Sequence, residues 1–315
     1  MRILVTGGTG FLGRHLALRM RGSHEVILGG RNNKQNLFAE RFTGCRVVPL
    51  DVTRIDAVRD VVVETRPEVI VHAAATKFVD RAERQPLECI DVNVLGSENV
   101  ARVARERGVH TVLGISTDKA APPIRNTYGL SKALMERLFA ALDDPDGTRF
   151  ACVRYGNVAW STGSVLPIWK GMHDRDGVIG TTGPEMRRFF FTVDEAVELV
   201  RTALADIDEI GGGVLGRTMR SARIRDILEL WIARKGGRWE PIEGRPGERE
   251  DEFLIGEIEL PYTREIEYDG IRHFLIRFNQ RSERPATAVL SSANAERLTE
   301  PEMVTLIENP PLEEL

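Results

Sequence analysis

Thr117, Asp118, Lys119, Tyr128 and Lys132 bring a hydroxyl, a carboxyl, a phenol and two amines together within one short stretch of the chain. Such a set handles protons rather than packing a core. The preceding run His110-Thr-Val-Leu-Gly-Ile-Ser116 is short, apolar and largely β-branched, which predicts a buried parallel strand. The polar cluster then sits at the strand's carboxyl end, the edge where open α/β sheets bind ligands. Tyr128 and Lys132 are four apart in a helical pattern, so phenol and ammonium share a face. A free tyrosine titrates near 10, and bringing it to about 7 takes roughly 4 kcal/mol of preferential phenolate stabilisation. A lysine plus a positively charged nicotinamide would supply that. Tyr-x-x-x-Lys also arises on ordinary solvated helix faces, so the motif needs a second signal.

The amino terminus provides it. A strand, Met1-Arg-Ile-Leu-Val-Thr6, runs directly into Gly7-Gly-Thr9-Gly10-Phe11-Leu12-Gly13 and then a helical pattern, Arg14 to Met20. Strand, glycine turn and helix in that order predict a dinucleotide site. Gly7 allows the tight turn, Gly10 the approach of backbone amides to a pyrophosphate, and Gly13 close packing of helix on strand. The spacing G-x-x-G-x-x-G resembles that of the short-chain dehydrogenase/reductase superfamily, whose catalytic pair is also Tyr-x-x-x-Lys.

The second strand, Glu25-Val-Ile-Leu-Gly-Gly30, ends without the acid that would bind both adenosine ribose hydroxyls and repel a 2′-phosphate. Arg31 and Lys34 follow instead, and the expectation is NADP rather than NAD. Asp51, with Val52 after it, closes the strand Arg46 to Leu50 and resembles the superfamily's adenine-contacting acid. Ala73, Ala74 and Ala75 end the strand that starts at Val69, where small side chains leave room for the cofactor. Asn93 completes the expected cofactor set.

A chain of 315 residues, 42% hydrophobic and with a net charge of -4, suits one large or two intimate domains. No basic patch argues for nucleic acid, and no apolar stretch approaches the roughly twenty residues that cross a bilayer. With no signal-peptide pattern, the expectation is a cytoplasmic protein. Cys45, Cys89 and Cys152 are odd in number and unclustered, which predicts reduced core thiols. The histidines lack ligand spacing, so no metal is expected, and His72 reads as a core residue.

Strand and helix patterns alternate to about residue 158, with helices near Arg54–Thr65, Pro86–Arg107 and Thr127–Leu142. The predicted fold is therefore α/β: a Rossmann-like doubly wound parallel sheet with a smaller C-terminal substrate-binding lobe. Residues 1–158, with about 190–218 returning to the sheet, form the NADP-binding part. About 159–189 and 219–315 form the substrate-binding lobe.

Longer strings narrow the resemblance. Val71-His-Ala-Ala-Ala-Thr-Lys77, Asp91-Val-Asn93, Ser116-Thr-Asp-Lys-Ala-Ala121, Arg154-Tyr-Gly-Asn-Val158, Pro184-Glu-Met-Arg-Arg188, Arg245-Pro-Gly-Glu248 and Ser291-Ser-Ala-Asn294 resemble the nucleotide-sugar 4,6-dehydratases that act on UDP-N-acetylglucosamine. The inverting flagellin and capsule types are nearest in pattern. The resemblance implies that Tyr128, with Lys132 and Thr117, takes the proton of the C4 hydroxyl as hydride leaves C4. Lys119, neutral through a depressed pKa, then removes the C5 proton, and protonated Asp118 releases the C6 hydroxyl as water. Hydride returns to C6 and a proton to C5, on the opposite face if C5 inverts. Lys77 and Asn157 would touch sugar or diphosphate, while Arg188, Arg245 and Glu248 would clamp the diphosphate and uridine. Helices Pro86–Arg107 and Thr127–Leu142 resemble a four-helix dimer interface, which implies a homo-oligomer.

The chain departs from that pattern at Phe78, where histidine is usual, and at Trp160 and Thr162, where glycine and arginine are. The second change sets an indole beside the expected sugar pocket. A C4-epimerase or 4-ketosugar reductase on this scaffold would use Tyr128 and Lys132 without needing Asp118 or Lys119. A non-enzymatic NADP-binding sensor would need none of the four.

Overall fold

The computed structural model describes residues 1–244 and 247–311. Alternation along the strands sets its layers. In β1 (Arg2–Thr6), Ile3 and Val5 face one apolar cluster and Leu4 the other, and Val69 and Val71 oppose Ile70 in the same way. Strands buried on both faces require helices on both sides. Phe11–Met20 and Val193–Ala205 cover one face; Ile55–Thr65, Gly96–Glu106 and Thr127–Leu142 cover the other.

The main sheet runs β3 (Arg46–Pro49), β2 (Glu25–Gly30), β1, β4 (Val69–His72), β5 (Thr111–Ile115), β6 (Arg149–Arg154) and Val214–Arg217, all parallel. The strand order reverses between β1 and β4, where a doubly wound sheet opens a crevice. The predicted return at about 190–218 contains the strand Val214–Arg217. Thr263–Tyr268 and Ile271–Ile276, assigned from sequence to the second lobe, instead extend this sheet as an antiparallel hairpin. Phe274 and Ile276 enter one core and Leu275 the other, a two-sided burial that the charged residues around them conceal.

Asn157–Val158, Arg187–Phe191 and Arg220–Arg223 make a separate three-stranded sheet. Helices Val165–Asp176, Ile224–Lys235 and Glu300–Glu308 pack around Trp169 and Trp231 beside it. A buried ion cluster ties the segment Leu254 to Glu259 to the main sheet. Arg154 of β6 donates to Glu136 Oε1 and Oε2 (2.9 and 2.6 Å), to Glu259 Oε1 and Oε2 (2.9 and 3.0 Å) and to the Leu254 carbonyl (2.9 Å). Burial opposes its charge, but the two carboxylates outweigh burial and raise its pKa further.

The helix Thr127–Leu142 appears as predicted, with the Asn126 side chain accepting from the Gly129 amide at 2.7 Å. The stretch Pro86–Arg107 is broken by a π-helical turn at Asp91–Leu95. Such bulges gather at functional sites, and this one carries Asn93. Among the described residues no helix is long and apolar enough to cross a membrane. The three cysteines are buried free thiols.

Candidate active site

A cleft of about 470 Å³ lies over the carboxyl ends of β1, β4 and β5. Its wall contains Gly7, Thr9, Gly10, Phe11, Leu12, Gly13, Arg31, Asp51, Val52 and Ala73–Ala75 at one end, and Lys77, Thr117, Lys119, Tyr128, Lys132 and Asn157 at the other. Residues far apart in sequence are thus brought into one space. Asp118 and Asn93 stand behind the wall. Lys34, Arg188 and Glu248 lie outside it, and Arg245 falls outside the described residues.

The first end is shaped to admit a dinucleotide. Gly7 has φ +66°, and a Cβ there would come within 2.6 Å of the Ala74 backbone, so only glycine lets β1 and β4 approach. Helix Phe11–Met20 starts from Gly10 with no side-chain cap, leaving its first amides available to an anion at the cleft. Asp51 Oδ1 is fixed by the Thr53 amide and hydroxyl (3.0 and 2.8 Å). Of the two cations expected near the ribose, Arg31 is in the wall, with Glu88 at 3.8 Å, whereas Lys34 is exposed on the neighbouring helix.

Below this floor runs a buried polar chain. Ser97 donates to the Asn93 carbonyl at 2.6 Å, so its oxygen accepts from His72 Nε2 at 3.0 Å, and Nδ1 accepts from Thr6 at 2.8 Å. Burial and nearby Lys132 push His72 down to about 3, in keeping with the core role read from sequence. The Asn93 amide spans Thr76, from whose amide it accepts at 2.8 Å, and Ser131, to which it donates at 2.9 Å. It braces the loop after β4 against the Tyr128 helix, instead of entering the wall as expected.

At the second end, the first turn of the Tyr128 helix presses on the Lys119 segment: a Cβ on Gly129 would meet the Lys119 carbonyl at 2.2 Å. Sequence reasoning passed over Gly129, although a glycine in a first helical turn signals such contact. Lys132 Nζ donates to the Ile115 carbonyl at 2.8 Å, and burial lowers its pKa to about 8. Tyr128 moves opposite to expectation. Burial raises it to about 12; Lys119 and a hydrogen bond with Thr117 lower it, and Asp118 raises it again.

Thr117 donates to Asp118 Oδ1 at 2.9 Å, and Lys119 Nζ donates to the same oxygen at 3.1 Å. Asp118 Oδ2 is buried with no hydrogen-bond partner, and burial raises the carboxyl's pKa. Lys119 also lies 3.4 Å from Asn157 Oδ1 and 3.6 Å from Glu252 Oε1. Burial alone would lower its pKa, but Asp118 and Glu252 outweigh burial and Arg188, so the amine is raised rather than depressed. Glu252 was absent from the sequence reading. Its signal, one carboxylate in the run Glu248-Arg-Glu-Asp-Glu252, is indistinguishable from a solvated face until the fold buries it.

Arg188 spends its guanidinium on the carbonyls of Arg187 and Glu250 (2.8 and 3.0 Å), and Glu248 accepts from Thr182 at 3.0 Å. Both act within the second lobe here. Phe78 and Thr162 line the cleft, with Phe78 lying against Gly163. Trp160 does not line it. Its backbone adopts φ +63°, a conformation costing a bulky residue about 1–2 kcal/mol, yet its indole turns away. Nε1 donates to the Leu306 carbonyl at 2.6 Å, and the ring centroid lies 6.2 Å from that of Trp231. The indole therefore joins the second lobe's core rather than the sugar pocket.

Residues 3–271 match a family model described as Polysaccharide biosynthesis protein. An uncharacterized membrane protein of Methanocaldococcus jannaschii is 36% identical over 290 residues, 84% of this chain and 83% of that one. A UDP-N-acetylglucosamine 4,6-dehydratase (inverting) of Campylobacter jejuni is 32% identical over 280 residues, 84% of this chain and 80% of that one. The structure of Pen from Bacillus thuringiensis overlays with a TM-score of 0.89 at 26% identity, covering 98% of this chain and 97% of that one. With its glycine turn, its Tyr-x-x-x-Lys cleft and these relatives, the chain belongs to the polysaccharide biosynthesis protein family of the extended short-chain dehydrogenase/reductases.

Proposed function

We propose that this protein is an NADP-dependent 4,6-dehydratase of UDP-N-acetylglucosamine, producing a UDP-4-keto-6-deoxy-hexosamine with inversion at C5. The observation that carries the reading is the Asp118–Lys119 pair, 3.1 Å apart, with Lys119 in the same cleft wall as Tyr128 and Lys132 and Asp118 directly behind it. A redox step alone needs the tyrosine and lysine; an elimination also needs an acid and a base beside the sugar. The Campylobacter jejuni relative bears the name of that reaction, inversion included.

The glycine turn, Asp51 and Ala73–Ala75 would hold the dinucleotide, and Arg31 would meet a 2′-phosphate. When bound, the nicotinamide would accept hydride from C4 and return it to C6. Tyr128, as a phenolate favoured by the positive charge of the bound nicotinamide, takes the proton of the C4 hydroxyl and, once Asp118 has given its own proton to the departing C6 hydroxyl, passes it through Thr117 to Asp118 along hydrogen bonds already formed. Lys119, as the amine, takes the C5 proton, which the C4 ketone has acidified. Asp118, as the acid, protonates the departing C6 hydroxyl. A proton then returns to C5 from the face opposite Lys119, which inverts the carbon, and Lys119 gives its own proton to solvent. Lys77 and Asn157 face the sugar or its diphosphate.

Leu87, Ile90, Leu95, Leu130 and Leu134 are exposed on the two helices expected at a dimer interface. A second copy packed through these helices would cover them, and sedimentation at micromolar concentration reads the dimer directly. Incubation with UDP-N-acetylglucosamine and NADP, followed by mass spectrometry, tests the activity. The expected product has lost one water, and proton NMR in heavy water shows deuterium entering at C5. Recovery of unchanged sugar, or of a C4 epimer without water loss, overturns the reading.

A further inference from the structure

Lys119 must act as a base, yet the structure surrounds it with negative charge. Asp118 Oδ1 is 3.1 Å and Glu252 Oε1 3.6 Å from its Nζ, and the side chains of both acids are at most 5% exposed. Glu252 reaches this point from a different part of the chain and is firmly held. Arg249 Nε donates to Glu252 Oε2 at 2.6 Å, Arg188 Nε lies 4.0 Å from Oε1, and the Glu252 amide donates to Ser292 at 3.0 Å. Arg249 also donates to the Pro123 carbonyl at 2.9 Å, which ties this segment to the loop that follows Lys119. The charged and titratable groups facing the amine are thus Asp118, Glu252, Arg188 and Tyr128.

We infer that Glu252 is a positioning residue for the elimination: its carboxylate holds Lys119 against Asp118 as an ammonium, so that the amine is released only by handing its proton to Asp118. This deepens the dehydratase reading and rests on it for its catalytic meaning. The transfer breaks one N–H bond at Nζ, forms one O–H bond at Oδ1 and turns a +1/-1 pair into a neutral pair. No other reactant is needed. The neutral pair contains the acid and the base that elimination requires, and the elimination itself returns both to their charged forms. Glu252 biases that equilibrium towards the charged side, guarding against a free amine in an empty cleft.

The test follows Lys119 without substrate. The chain has six lysines, so 13Cε-lysine NMR against pH resolves each, and the Lys119 resonance is the one missing from Lys119→Arg. Glu252→Gln is expected to move its midpoint down by about one pH unit or more. Glu252→Asp, which keeps the charge but withdraws it by one methylene, gives a smaller fall and serves alone if the Gln variant does not fold. An unchanged midpoint in either folded variant overturns the inference. Wild-type protein that dehydrates no UDP-hexosamine would strike the proposed function instead, leaving the Glu252–Lys119 linkage intact.

Discussion

The two ends of the cleft are built from opposite materials. Around Gly7, Gly10 and Ala73–Ala75 the wall is backbone and small side chains, and recognition there depends on how closely two strands and a helix end approach. Around Lys119 it is buried charge: Asp118, Glu252, Arg188 and Arg249 converge from three segments, and the Arg154 cluster lies alongside. The first end cannot tolerate an added carbon. The second cannot tolerate a lost charge. Closeness is specified by glycines a few residues apart in sequence, whereas charge balance is specified by residues as distant along the chain as Asp118, Arg188 and Glu252.

The sharpest way to break the contrast is Arg154→Met. It leaves Glu136 and Glu259 facing each other unneutralised, and removing one partner from a buried charge cluster typically costs about 3–5 kcal/mol. Urea denaturation reads that loss, and a triple variant with Glu136→Gln and Glu259→Gln should recover much of it. A loss under 1 kcal/mol would show the cluster to be no more than a surface pair in effect. Lys119→Ala attacks the charged end's chemistry instead. Water elimination should fall by about 10²–10⁴ fold, while exchange of C4 hydride survives; an epimerase would keep its full turnover.

Gly7→Ala probes the first end. A strained backbone there costs on the order of 1–3 kcal/mol, and the contact with Ala74 adds to it. Dinucleotide affinity, read by fluorescence titration, should fall while the Lys119 NMR midpoint stays in place. The smallest effect concerns Lys132, whose folded pKa of about 8 lies below the ordinary 10.5 because of burial. Between those values the unfolded chain carries more protons, so this residue makes stability rise with pH from about 8 to 10. Above 10 Tyr128, raised to about 12, works in the other direction, since the unfolded phenol ionises first. Denaturation at pH 8 and pH 10 should show the first trend in wild type and its loss in Lys132→Met.

Local patterns were enough for the sheet's parallel half. Apolar alternation, the glycine turn and the helix Thr127–Leu142 are all short-range signals, and they placed Tyr128, Lys132, Lys119 and Thr117 at one sheet edge. Those signals failed where burial comes from a distant partner. The hairpin Thr263–Ile276 reads as charged until Val214–Arg217 pairs with it. Trp160 reads as a pocket residue until Leu306 and Trp231 draw its indole away.

What the amino-acid order determined by itself was which groups exist and which lie within a helical turn or a strand of one another: the phenol, the amines, the bare turn for a dinucleotide. Protonation was decided only in three dimensions. A pKa depends on how much water is removed and which charges stand within a few ångströms, and both are long-range properties. Hence Tyr128 and Lys119, each expected to be lowered, are raised, by burial in the first case and in the second by Asp118 beside it and Glu252 reaching it from far along the chain.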